Sequence, residues 1–206
     1  MLSGWSETIT VKNRARKWII AGHEEILPAF PFKIVAANYD GGSEFINYEL
    51  YDFSKMHKYQ MTRSRPYKKN DNAHIEQRNY DIVRRHAFRF RYEGEEVQNI
   101  LNALWYWVNL RKNYLVPCKK RIGHTKTKSG RTRGVYDKPK TPYRRCLESS
   151  AVSDRDKERM TKTYRRLNDA HITREINRLQ HELLRRTEDN VVIELTSRAI
   201  ELVKAA

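Results

Sequence analysis

Cysteine and long apolar runs are both scarce in this chain of 206 residues. It contains two cysteines, Cys118 and Cys146, which are too few for a disulfide framework or a cysteine-rich zinc module. No stretch approaches the roughly 18 apolar residues of a membrane span, and the first residues lack the basic and apolar regions of a signal peptide. These absences predict a cytoplasmic protein in a reducing compartment, with no membrane partner.

Positive charge is plentiful and is concentrated in one stretch. The chain has 41 Lys and Arg against 25 Asp and Glu, a net charge of +16, and residues 119–145 hold eleven of the basic residues and one acid, Asp137. Such a stretch attracts a polyanion, either nucleic acid or an anionic membrane, and the lack of an amphipathic apolar face favours nucleic acid. A solvated linker is the alternative, against which the interleaved Tyr136 and Tyr143 weigh.

The N-terminal part alternates between strand patterns and helix patterns. Alternating or continuous apolar runs predict three strands, the first half-buried and the second buried on both faces: Trp5–Val11, Phe32–Ala37 and Gln60–Ser64. Helical spacing and capping residues predict three helices: Arg14–Leu27, Ser43–Lys58 and one capped by Asn70 or Asp71. This order predicts an α/β fold with a sheet flanked by helices.

The C-terminal half is predicted to be mostly helical. A long helix begins beyond Gly94, with large apolar side chains at three- and four-residue steps as far as Leu115, and Pro117 ends it. The basic stretch that follows has the composition of an extended arm or a small irregular module. From Asp154 the pattern is again helical, and this nearly neutral tail is expected to be a small appendage. The predicted units are therefore a core over residues 1–116, a basic arm or module over 117–147 and a helical tail over 148–206.

Two carboxylates occupy positions where an open α/β sheet places working residues. Asp40 follows an expected buried strand, Glu76 lies in the first turns of a helix after another strand, and 35 residues separate them. Ligands of such sheets bind beyond the carboxyl ends of the strands. Acidic residues are common, so this spacing alone favours two surface side chains over a catalytic pair.

The segments around the two acids strengthen the catalytic interpretation. Residues 39–47, YDGGSEFIN, and 64–79, SRPYKKNDNAHIEQRN, closely resemble the second and third acidic motifs of DDE-type integrases and transposases, particularly those of bacterial insertion sequences. Their spacing is the one that gives this superfamily its D-35-E label. The likeness covers most of residues 3–147 and includes residues 4–7, 102–105 and 136–145.

The resemblance implies a ribonuclease-H-like mixed sheet flanked by helices, whose acids bind two Mg²⁺ or Mn²⁺ ions for phosphodiester cleavage and strand transfer during DNA integration. Asp40 and Glu76 are the residues to which a metal-ligand role carries over. Two carboxylates about 4 Å apart repel by roughly 4 kcal/mol at an effective dielectric of 20, and a divalent cation turns that repulsion into a site. The implied partners are double-stranded DNA, as element ends and target, and further copies of the chain.

The chain departs from the family pattern at two places. Gly41 stands where the family usually has Asn, and no aspartate precedes Asp40, so the first catalytic aspartate is absent. Glu7 is the nearest substitute, but the match puts it on a later strand, where an exposed glutamate is the plain explanation. The sheet is expected to lack its first strand or strands, which predicts a truncated, frameshifted or split integrase that is weakly active or inactive alone.

Basic residues near the acids and in the arm are the predicted DNA contacts. Those flanking the glutamate motif are Arg63, Arg65, Lys68, Lys69 and Arg78. Those of the arm are Lys119, Lys120, Arg121, Lys126, Lys128, Arg131, Arg133, Arg144 and Arg145. Two other functions stay open: a non-catalytic DNA-binding remnant that keeps the arm, and a related ribonuclease-H-like nuclease that hydrolyses DNA without strand transfer.

Overall fold

A computed structural model describes residues 3–39, 48–64, 77, 79–127 and 129–204, with the backbone alone from residue 188 onward. Helices and small sheets give it a mixed α/β architecture. In chain order the elements are α1 (Arg16–Ile26), β1 (Ala36–Tyr39), α2 (Tyr48–Met56), β2 (Gln60–Arg63), α3 (Arg85–Ala87), α4 (Glu95–Leu110), β3 (Arg121–Lys126), β4 (Thr132–Tyr136), α5 (Pro142–Leu147), α6 (Asp154–Arg166) and α7 (Asp169–Lys204). A 3₁₀ turn follows α1 (Leu27–Ala29), and π-helical turns precede α3 (Tyr80–Arg84) and extend α4 (Arg111–Leu115).

Strands β1 and β2 pair in parallel, with Ala36 opposite Gln60 and Tyr39 opposite Arg63. The expected strand Gln60–Ser64 is confirmed, whereas the strand predicted over Phe32–Ala37 begins at Ala36. Its predicted burial on both faces is also wrong, since Val35 is 73% exposed. Side chains alternate across a strand, so Ala37 and Tyr39 share one face and pack with α1 and α2, while Ala36 and Asn38 lie on the exposed face.

The described part of the predicted helix 43–58 is α2, which buries Leu50 and Phe53 beside β1 and β2. Tyr39 and Tyr59 complete this cluster, and their hydroxyls hydrogen-bond at 2.9 Å. Residues 40–47, which include the start of that predicted helix, lie outside the described residues.

The strand predicted over Trp5–Val11 is not formed, because its backbone bonds to side chains of a helix instead of to another strand. Asn102 of α4 accepts from the Thr10 amide at 2.7 Å and donates to the Thr10 carbonyl at 3.2 Å. Three residues past the end of α4, Asn113 does the same for Ser6, at 2.9 and 2.8 Å. An alternating sequence predicts extended backbone, but it cannot tell which donors and acceptors satisfy that backbone.

Among the described residues, the largest cluster of buried side chains joins α4 to α7. Glu95 and Glu96 lie in the first turn of α4, where negative charge favours the helix N-terminus. The cluster contains Val97, Ile100, Leu101, Leu104, Trp105 and Val108 of α4, Ile172, Ile176, Leu179 and Leu183 of α7, and Ile82 and Ala87. The tail beyond residue 148 therefore shares a core with residues 1–116, whereas the sequence pattern suggested an appendage.

A second cluster lies beneath α5 and α6. It contains Tyr114, Tyr143, Cys146, Val152 and Met160. Both helices have sequence-encoded starts: the side chain of Thr141 accepts from the Arg144 amide, followed by Pro142 at the first turn, and the side chain of Ser153 accepts from the Asp156 amide. This cluster supports the segment from which the basic stretch projects.

No helix of the described residues has the length and apolarity needed to cross a membrane. Cys118 and Cys146 are both free thiols, the first half-buried and the second buried.

Candidate nucleic-acid interface

The basic stretch folds into a β-hairpin formed by β3 and β4, where composition had predicted an extended arm or an irregular module. Lys126 pairs with Thr132 and Thr125 with Arg133, in antiparallel register. At the turn, the Thr127 amide donates to the Arg131 carbonyl at 2.8 Å, and Gly130 adopts a φ of +76°, which glycine tolerates without strain. The stretch is therefore a β-hairpin, with a register shift between Arg121 and Gly123, that carries its cations on two strands.

Isolated two-stranded hairpins are marginally stable in water, so this one needs anchoring at its base. Backbone bonds continue past the strands, with the Asp137 amide donating to the Lys120 carbonyl at 3.0 Å. Cys118 and Lys140 exchange two further backbone bonds at 3.0 and 3.2 Å. These bonds join the hairpin to the residues that lead into α5.

Asp137 and Arg145 form an ion pair at this base, which we call the hairpin clamp. The guanidinium of Arg145 donates to both carboxylate oxygens of Asp137, at 2.5 and 3.1 Å, and to the Cys118 carbonyl at 2.8 Å. The Asp137 carboxylate also accepts from the Lys120 amide at 2.7 Å. Hydrogen bonds from Arg145 and Lys120 lower the pKa of Asp137 to about 2, so the carboxylate is ionised at neutral pH.

The clamp pairs the single acid of the basic stretch, Asp137, with Arg145. The side chain of Arg145 is 9% exposed and bonds to Asp137 and to the Cys118 carbonyl, so it serves the hairpin's attachment, while the neighbouring Arg144 is exposed. Lys140 is paired with Glu148 at 2.7 Å. Within the described residues, no carboxylate forms an ion pair with the remaining exposed cations, which are Lys119, Arg121, Lys126, Arg131, Arg133, Lys138 and Arg144.

The structure describes two of the other predicted DNA contacts, Lys120 and Arg63. Lys120 is half-buried at the hairpin base, and Arg63 is exposed at the end of β2. Asp40, Arg65, Lys68, Lys69, Glu76, Arg78 and Lys128 lie outside the described residues. The structure therefore brings together the arm residues and leaves the pairing of the two acids as a prediction.

The strand ends near Asp40 have the arrangement that a site at a sheet edge needs. β1 and β2 run parallel and end side by side, since the Ser64 amide donates to the Tyr39 carbonyl at 2.9 Å, and Asp40 is the next residue of the sequence. Asn38 adds a polar group here and donates to the Ser64 hydroxyl at 3.0 Å. Among the described residues, no three His, Cys, Asp or Glu side chains are grouped so that they could hold a metal ion.

Glu7 is not the exposed strand residue that its sequence position suggested. Its carboxylate accepts from the indole of Trp5 at 2.6 Å and from Asn113 at 3.1 Å. Burial raises the pKa of Glu7 to about 7, against the lowering effect of hydrogen bonds from Trp5, Asn109 and Asn113. Glu7 is thus held by its neighbours in the N-terminal segment and α4.

Sequence reasoning missed the clamp, although a signal for it was present. The sequence shows Asp137 as the one acid among eleven bases and predicts Arg145 to be a DNA contact. An isolated acid inside a basic run has many possible partners, and only the closing of the hairpin selects Arg145 among them.

No protein-family model matches the chain. The chain is similar to the uncharacterized protein y4rM of Sinorhizobium fredii (strain NBRC 101917 / NGR234), with 34% identity over 126 residues, which is 59% of this chain. The match spans 36% of the length of that relative. Its name states no activity.

Proposed function

We propose that the chain is part of a DDE-type recombinase, the integrase of a mobile element, and that its hairpin binds double-stranded DNA. The observation that carries the DNA-binding part is the set of seven exposed cations, without carboxylate partners in the described residues, on and beside an anchored hairpin. Contacts of this kind neutralise phosphates and set the register of a protein on DNA. The recombinase part rests on the resemblance of the motifs around Asp40 and Glu76.

The two acids would hold Mg²⁺ or Mn²⁺ in a ribonuclease-H-like sheet. Carboxylate oxygens suit these hard cations, and Asp40 follows directly on β1, whose end lies beside that of β2. When bound, such ions stabilise the entering and leaving oxygens of a phosphodiester displacement, and two ions are expected in the complete domain. Arg63, with Arg65, Lys68, Lys69 and Arg78, would position phosphates beside the acids.

A second candidate is a DNA-binding protein without chemistry, located in the cytoplasm and associated with DNA like the first. The specific observation in its favour is that Glu7, the nearest substitute for the first acid of the family, is already bound to Trp5 and Asn113. We therefore expect this chain alone to bind DNA without joining ends. Self-association on DNA is part of the recombinase proposal, whereas a nuclease would hydrolyse DNA without strand transfer.

The DNA-binding part is tested by the salt dependence of binding to a fluorescent duplex. If about six phosphates are neutralised, the log-log slope of affinity against salt is near −5. Replacing Lys126, Arg131 and Arg133 by Gln is expected to make that slope shallower by about 3. The matched control replaces three exposed arginines outside the hairpin, Arg89, Arg165 and Arg185, by Gln. A wild-type slope near zero, or equal effects of the two triple variants, contradicts hairpin binding.

The metal site separates the recombinase from the non-catalytic binder. With a metal site at the DNA, Mg²⁺ strengthens duplex binding, and Asp40→Asn or Glu76→Gln abolishes that gain. In a binder without chemistry, either substitution leaves affinity unchanged or raises it by removing negative charge. Asp52→Asn, an exposed position of α2, controls for the charge change. The same affinity gain from Mg²⁺ in wild type and both variants rules out the recombinase site.

A further inference from the structure

A cleft of about 1040 Å³ lies between α4, α6 and the start of α7. One wall is a face of α6 with cations at steps of four, three and four residues: Arg155, Arg159, Lys162 and Arg166. Arg174 of α7 adds a fifth cation, and Glu158 is the only carboxylate among the lining residues of the described chain. The cleft is strongly cationic, although the tail that forms most of it is nearly neutral overall.

Three of the five cations are available to a ligand. Arg159 pairs with Asp156 at 3.1 Å and Lys162 with Glu158 at 3.0 Å. Arg155, Arg166 and Arg174 are exposed, and none has an ion-pair partner among the described residues. Guanidinium groups bind phosphate oxygens in pairs of parallel hydrogen bonds, so these three arginines suit a ligand with several phosphates.

Aromatic rings line the wall of the cleft that α4 contributes. Tyr106 is 59% exposed and meets Trp107 edge-on, with the ring centroids 5.1 Å apart. Trp107 in turn contacts His171 of α7 edge-on at 5.2 Å. An exposed ring beside unpaired arginines is the combination with which proteins bind single-stranded nucleic acid, since bases stack on the ring while cations follow the backbone.

We propose that this cleft binds single-stranded nucleic acid over a few nucleotides, through phosphate contacts of Arg155, Arg166 and Arg174 and base stacking on Tyr106. A single strand suits the cleft better than a duplex, because its unpaired bases are free to stack on Tyr106, whereas the bases of a duplex are stacked on one another. An acidic peptide would satisfy the arginines but would leave the ring unused. The cleft is separate from the hairpin, so this proposal does not depend on the recombinase proposal.

The test measures binding of a fluorescent oligothymidylate of about twelve nucleotides to the full chain, a length within the site sizes of single-strand binders. The cleft variant replaces Arg155, Arg166 and Arg174 by Gln, and the control variant replaces Arg89, Arg165 and Arg185 by Gln. We expect the cleft variant to bind at least tenfold more weakly, with a salt slope shallower by about 2, and the control to stay within twofold of wild type.

Stacking is tested separately with Tyr106→Ala, for which Tyr48→Ala on α2 is the exposed matched control. We expect Tyr106→Ala to lose at least fivefold in affinity for oligothymidylate and Tyr48→Ala to lose none.

Duplex affinity should be unchanged in the cleft variant and reduced in the hairpin variant. The proposal is overturned if the cleft and control variants lose equal affinity for oligothymidylate, or if Tyr106→Ala has no effect. It is also overturned if the cleft variant loses as much affinity for the duplex as for oligothymidylate. If oligoglutamate binds with the affinity of oligothymidylate, and the cleft variant weakens that binding, the cleft is instead a site for acidic peptides.

Discussion

Glu7 illustrates how a single residue can respond to its surroundings more than to its local sequence. Its carboxyl group accepts hydrogen bonds from Trp5 and Asn113, yet burial dominates and the pKa rises to about 7. With a pKa of about 7, the carboxyl group of Glu7 is about half protonated at neutral pH in the folded chain.

The raised pKa of Glu7 predicts a pH-dependent stability. The folded state keeps a proton that the unfolded state releases from about pH 4.5, so the free energy of unfolding falls as pH rises from about 4.5 to about 7 and this contribution is constant above that. Glu7→Gln is neutral at every pH and keeps an acceptor for Trp5. We expect the loss in stability between pH 5 and pH 8 to be smaller in Glu7→Gln by on the order of 2 kcal/mol, measured by urea unfolding.

The control for this measurement is Glu24→Gln, at an exposed position of α1. Its stability should change between pH 5 and pH 8 as that of the wild type does. A Glu7→Gln variant with the wild-type pH dependence would mean that Glu7 is ionised in the folded state at neutral pH.

The hairpin is the element in which charge and geometry are most directly connected. Its strands expose cations to solvent. At its base, the Asp137 carboxylate accepts hydrogen bonds from Arg145 and from the Lys120 amide. The clamp thus neutralises the one negative charge of the stretch, and we expect it to fix the direction in which β3 and β4 project.

Asp137→Asn separates these two effects of the clamp. If only charge mattered, removing an acid would raise duplex affinity. We expect a severalfold decrease instead, together with faster amide exchange at Lys120, because Asn cannot pair with both guanidinium nitrogens and leaves a buried charge unpaired. Because the pKa of Asp137 is lowered, the contribution of the clamp to stability is present above about pH 4 and is lost as pH falls through about 2. Binding measured at neutral pH therefore reports on the intact clamp.

Asp154→Asn makes the same change in net charge at a fully exposed position of α6. It should bind the duplex as tightly as the wild type or slightly more tightly. If Asp137→Asn behaves in the same way, the clamp does not position the hairpin.

At the scale of the whole molecule, the basic surfaces depend on two neighbouring cores. α7 packs on α4 through Ile172, Ile176, Leu179 and Leu183, and the hairpin is attached through α5 to the second cluster around Tyr143. Leu115 and Leu167 contact both clusters. The tail is therefore integral to the fold, and the cleft exists because α6 and α7 are packed against α4.

Leu183→Ala tests this integration. The side chain is fully buried, so the substitution should lower the free energy of unfolding by about 2–5 kcal/mol. Unfolding should remain a single transition, coincident by circular dichroism and by tryptophan fluorescence, to which Trp105 and Trp107 of α4 contribute. The half-buried neighbour Leu184→Ala should cost less. A tail transition that leaves the fluorescence transition unchanged would identify α7 as a separate unit.

Sequence reasoning worked where the determining interactions are local. The i, i+3, i+4 spacing of apolar residues located α4, the turn residues Pro28 and Pro31 limited α1, and Gln60–Ser64 was recognised as a strand. It failed for Trp5–Val11, whose extended pattern is correct in form but whose backbone partners, Asn102 and Asn113, lie about a hundred residues away. The α6 cations were missed because counting charge over the whole tail averages them with its acids.

The order of amino acids by itself determined the charge of the chain, its concentration in residues 119–145, and the helices and caps of the C-terminal half, because these depend on composition and on neighbours within a few positions. Tertiary structure decided which charges face solvent. Arg145 is neutralised by Asp137, and Arg155, Arg166 and Arg174 gather around one cleft, since burial and ion pairing depend on which segments meet in space. The same holds for Glu7, whose pKa is raised by burial and lowered in part by hydrogen bonds from Trp5, from Asn109 of α4 and from Asn113 just beyond its end.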